Sequence, residues 1–157
     1  MTTHTDNSTR HDLTRQAIIA TLHCLTGCAI GEVLGLMLGT ALGWSNGATI
    51  VLAIGLAFLF GYGFTITPVL RSGLTLGAAI GVALAADTVS IAVMEIVDNA
   101  VVLAVPGAMD AGLGSGLFWA SLALALAVAF VVTVPVNRAL ISRGRGHAVV
   151  HQHHHHH

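Results

Sequence analysis

A chain of 157 residues that is 55% hydrophobic and only 8% charged lies far outside the range of soluble domains, which carry about 25% charged residues. The formal net charge of −1 excludes a basic surface for nucleic acid, and the length leaves no room for a soluble domain beside several membrane spans. Mean hydropathy of +0.83 and unbroken apolar runs, rather than alternating ones, point to an all-α polytopic membrane protein.

Residues 1–16 are polar and read as a cytoplasmic N-terminal segment, followed by a four-helix transmembrane domain over 17–140. The first span, 17–44, is too long for a signal peptide and carries Glu32 midway, so it reads as a retained helix. The others are expected at 48–69, at 74–96 with apolar character continuing to 105, and at 117–136. Pro135 and Asn137 are expected to break the end of the fourth. An Arg/His-rich tail, 141–157, closes the chain as a juxtamembrane anchor, and its run His153–His157 reads as a purification tag or a native metal-binding tail. His147 and His151, at i and i+4, are a weaker metal-binding pair whose ordinary reading is solvated.

All six basic residues are arginines: Arg10, Arg15, Arg71, Arg138, Arg143 and Arg145. With four spans they fall on one side, and the positive-inside rule places both termini in the cytoplasm and the chain in the inner membrane. Trp44 and Trp119 then share the outer interface.

The string His23-Cys24-Leu25-Thr26-Gly27-Cys28-Ala29-Ile30-Gly31-Glu32 puts polar groups where a central acid costs roughly 2.5–3.5 kcal/mol. Sulfur, imidazole and carboxylate are ligands for copper and zinc, so Cys24, Cys28, His23 and Glu32 are the candidate metal set. Cys24, Cys28 and Glu32 occupy a stripe about 80° wide, whereas His23 is some 180° from Glu32. One helix therefore cannot gather all four. The plain alternative is that the thiols are inert small hydrophobes.

The third span adds Asp87, Met94, Glu95 and Asp98 as a candidate ion or proton path, with the last three near the outer interface, where acids are commonly just solvated. Counted from 17 and 74, Glu32 and Asp87 differ in depth by about 3 Å and are expected to meet near mid-membrane. Two acids at one depth share a proton, hold a cation, or act separately as packing glue.

Gly27, Gly31, Gly35, Gly39 and Gly43 recur every fourth residue, and Gly73, Gly77, Gly81 and Ala85 repeat that spacing in the third span. Such small-xxx-small patterns let backbones approach closely, so a glycine-zipper seam between the first and third spans is expected.

Three motifs resemble a bacterial and archaeal membrane family known only as domain of unknown function 4396. They are the His23–Glu32 string, Asp87-x-x-Ser90 with Met94-Glu95-x-x-Asp98-Asn99, and Pro135-Val136-Asn137 followed by Gly144-Arg145-Gly146-His147. The resemblance covers residues 13–147 and implies a compact helical membrane domain, with no activity to transfer.

Three functions compete. The first is binding or transport of a metal cation, copper or zinc, through the Cys/His/carboxylate site. The second is a non-catalytic assembly subunit that packs with a second copy or a membrane partner. The third is a thiol-redox protein, disfavoured by the i, i+4 cysteine spacing. No enzymatic motif is present. The bilayer is the one partner common to all three.

Overall fold

The chain reverses where glycine permits a positive φ: Gly43 (φ 66°) and Gly73 (φ 93°) end the first two helices. The next helices begin at hydroxyl caps, with Ser45 accepting from the Ala48 amide and Thr75 from the Ala78 amide. The structure is a computed structural model that describes the backbone of residues 3–152 and the side chains of 7–81 and 83–143. It contains α1 (Thr3–Ala41), α2 (Asn46–Arg71), α3 (Leu76–Ala104) and α4 (Gly116–Gln152), with a short 3-10 turn, Ala108–Asp110, before α4. All four helices are long and apolar enough to cross a membrane. The His153–His157 run lies outside the described residues, as do the side chains of Arg145, His147 and His151.

Several boundaries differ from expectation. The first helix extends back through the polar segment to Thr3 and stops at Ala41 rather than 44. Pro135 and Asn137 do not end α4, which runs through both. Proline costs one backbone hydrogen bond, but a break at this point would expose several backbone groups that lipid cannot satisfy.

Consecutive helices pack side by side, α4 returns to α1, and α1 touches α3 only slightly across the diagonal. Up-down-up-down order puts the start of α1, the end of α4 and the α2–α3 turn at one end. The described arginines, Arg10, Arg15, Arg71, Arg138 and Arg143, belong to that end, whereas Trp44 and Trp119 belong to the other.

The glycines of α1 contact α2, which corrects the expected seam with the third span. A Cβ on Gly27 would lie 2.7 Å from the Gly61 backbone nitrogen, on Gly31 2.4 Å from that of Ala57, and on Gly35 2.5 Å from Ala53 Cα. On Gly39 it would lie 2.2 Å from the Thr49 hydroxyl. Thr49, Ala53, Ala57 and Gly61 descend α2 by fours as the glycines ascend α1, so two small-residue faces mesh in antiparallel register. A Cβ on Gly77 or Gly81 meets nothing within 4 Å, and neither does one on Gly43, which sits in the turn. The physical reason is connectivity. A short turn forces α2 against α1, and α2 carries matching small residues at every level.

Candidate functional site

The remaining sides of the bundle meet on a polar line. Facing inward on α1 are Thr21, Cys24 and Cys28, spaced by three and four residues so that they share one face. From α3 come Asp87, Ser90, Met94, Glu95 and Asp98, all buried. Along α4, Ser121, Ala125, Ala129, Thr133 and Asn137 are buried at every fourth position. Among the described residues, the buried polar side chains all lie on these three helices.

At the turn end, Asn46 donates to the Asp110 carboxylate at 3.4 Å. Beneath it lies a cavity of about 120 Å³ between all four helices, bordered by Glu32, Glu95, Asp98 and Ser121 together with apolar side chains. The Glu32 and Asp98 carboxyl groups face one another, with Glu95 alongside. Glu95 is 4% exposed, Asp98 3% and Ser121 4%. Even so, Glu32 Oε1, Asp98 Oδ1 and the Ser121 hydroxyl have no hydrogen-bond partner, and the Glu95 oxygens have none beyond the neighbouring Cys28 thiol. Buried polar atoms are nearly always paired, so such a cluster needs an explanation.

One turn further in, the Cys28 thiol lies beside Glu95, and Cys24, Cys28 and Met94 belong to one buried cluster with Ile91 and Ala129. Asp87 follows, beside the Thr65 hydroxyl of α2 and within electrostatic reach of His23. Ser90 donates to Asn137 Oδ1 at the terminal end, Asn137 Nδ2 donates to Thr21 at 2.8 Å, and Thr21 donates to the Ala17 carbonyl at 2.7 Å. A file of polar side chains thus runs from Asp98 to Asn137, with the apolar side chains of Ile91, Met94 and Ala129 packed around its thiols.

The structure sorts the candidate residues. Cys24 and Cys28 are free and buried in the file, whereas His23 is exposed on the flank of α1. Glu32 turns toward Asp98 rather than Asp87, which corrects the expected Glu32–Asp87 pair. Measured from the shared turn end, Ala41 and Ala104, Asp87 lies roughly two turns deeper than Glu32. The two acids part in depth because α1 begins at Thr3 and α3 at Leu76, so positions 17 and 74 do not lie at one level. Met94, Glu95 and Asp98 are enclosed by helices rather than solvated at an interface. Among the described residues no three His, Cys, Asp or Glu side chains gather as a group able to hold a metal ion.

Sequence reasoning missed the contribution of α4. Ser121, Thr133 and Asn137 were legible only as members of an every-fourth small-residue ladder whose alanines raise no polar signal.

The family model for a domain of unknown function (DUF4396) matches residues 14–146. No curated protein and no solved structure matches this sequence. The chain belongs to the DUF4396 family.

Proposed function

Since the family supplies no activity, we propose from the geometry that this protein binds a cation within the membrane and passes it along the polar file. The observation that supports this reading is three buried acids on one cavity, Glu32, Glu95 and Asp98, whose oxygens find few partners beyond one another and the Cys28 thiol. Acids enclosed in a bundle mark ion or proton pathways, because leaving them there without that use is costly. In this reading the arginine-rich end is cytoplasmic, the cavity opens outward, and the membrane is the inner one.

Copper or zinc is the metal form of the proposal. Its support is the buried thiol pair Cys24 and Cys28, with Met94 in the same cluster as a further soft ligand. His23 does not join them.

A vesicle assay with tag-free protein tests the reading. Reconstituted protein should take up radiolabelled zinc or copper, or a proton reported by an internal dye, above protein-free vesicles. Glu95→Gln should abolish the uptake, and equal uptake by parent and variant overturns the proposal. Elemental analysis tests the metal form: about one soft metal per chain in the parent, lost in Cys24→Ser/Cys28→Ser.

A second reading, assembly through helix faces, is favoured by Gly77 and Gly81. They lie exposed with open space above them, one helical turn from the equally exposed Ala85. Gly81→Leu should then shift the oligomeric state in size-exclusion chromatography with light scattering.

A further inference from the structure

We infer that the turn-end cavity is built for a small organic ammonium ion with an apolar body, rather than for a bare metal ion. This rests on the cation reading above and names the class of cation.

Three features of the cavity carry the inference. The first is its size, about 120 Å³, which approaches the ~150 Å³ cavity that holds benzene in an engineered protein core. A dehydrated metal ion fills a small part of such a space. The second is its mixed chemistry. Its lining combines Glu32, Glu95, Asp98 and Ser121, with Asn46, Thr49 and Asn99, and a larger apolar share that includes Leu36, Ile54, Val102, Met109 and Phe118. A metal ion wants oxygen or sulfur all round, and these acids do not gather as a metal-holding group. An ammonium head has three N–H donors and needs acceptors on one side only, while its carbon body suits the apolar lining. Phe118 puts an aromatic side chain on the lining, the residue type that favours a positive charge.

The third feature is independent of the acids. Ser121 is 4% exposed, comes from α4, lines the same cavity, and its oxygen has no partner. A serine on a helix can usually return its hydroxyl to a carbonyl four residues back, as Thr21 and Thr26 do here. Ser121 does not do this although the Leu117 carbonyl of α4 lies four residues back, and its hydroxyl is left open on the cavity lining. Carboxylates would accept two of the ammonium N–H bonds and the serine oxygen a third.

The test uses benzylammonium as probe and benzyl alcohol as its neutral counterpart, titrated calorimetrically into the intact protein in lipid nanodiscs. Benzylammonium should bind saturably, at one site per chain, and benzyl alcohol should not. Glu95→Gln and Asp98→Asn should each weaken it by at least about tenfold. Val102→Trp keeps every acid but fills the cavity, and should abolish binding as well. Monodispersity and thermal unfolding select variants that fold, and any one folded variant decides the matter. If benzyl alcohol binds equally well, the cavity is merely apolar and the inference falls. Should zinc or copper bind in a Glu95-dependent way while benzylammonium does not, the inference falls but the cation reading stands. Failure of all the cations removes both.

Discussion

Asn137 and Thr133 occupy successive rungs of one ladder on α4 and are treated oppositely by their surroundings. Asn137 bridges α1 and α3 by accepting from Ser90 and donating to Thr21, so it joins three helices through one side chain. Thr133 is 0% exposed and its hydroxyl has no partner. Asn137→Leu should therefore destabilise the bundle by about 1 kcal/mol, the usual worth of such a bond between membrane helices. Thr133→Val keeps the shape, removes an unpaired hydroxyl, and should leave stability unchanged or raise it by up to about 1 kcal/mol. Thermal unfolding in detergent measures both. A loss of stability on Thr133→Val would show that its hydroxyl has a partner. The Ser90–Asn137–Thr21 chain is thus satisfied within itself, whereas Thr133 and one Asp87 oxygen share with the turn-end groups the lack of a partner.

At the scale of the element, α1 and α2 form the closest pair because neither has side chains to hold the backbones apart. At Gly31 a methyl group would meet Ala57 main-chain atoms at 2.4 and 2.6 Å, and backbone cannot rotate away as a side chain can. Gly31→Ala is expected to cost about 1–3 kcal/mol, the range for overpacking. Gly77→Ala, with open space and a better helix former, should be neutral or stabilising by up to about 1 kcal/mol. Parallel melting curves separate the two. Equal losses at both positions would mean that α3 makes a glycine contact absent from the isolated chain, which is the assembly reading. The continuation of α4 through Pro135 belongs to the same scale, since a helix in lipid tolerates one missing hydrogen bond better than an exposed terminus.

For the whole molecule, the up-down-up-down order places the described arginines at one end and both tryptophans at the other. Labelling on a background without Cys24 and Cys28 tests which end faces the cytoplasm. A cysteine at Ser72, in the exposed α2–α3 turn, should react only after the cells are permeabilised. One at Gly112, exposed before α4, should react from outside. The reverse pattern would invert the orientation and turn the acid-bordered cavity toward the cytoplasm.

Composition and turn chemistry by themselves determined the helical class, the number of spans and the grouping of the arginines, because hydropathy and positive-φ glycines act locally along the chain. The positions with chemistry were also visible: Cys24, Cys28, Glu32, Asp87, Glu95 and Asp98 stand out in apolar surroundings. Which of them meet was not. Glu32 faces Asp98 instead of Asp87, and the α1 glycines face Thr49, Ala53, Ala57 and Gly61 instead of α3. Partnership depends on where each helix starts relative to its neighbours, and a shift of two turns exchanges one acid for another. The cavity is likewise a product of tertiary packing, since it needs all four helices and the Ala108–Asp110 turn to converge at one level. No single span contains it, and no periodicity along one helix reports the space between four.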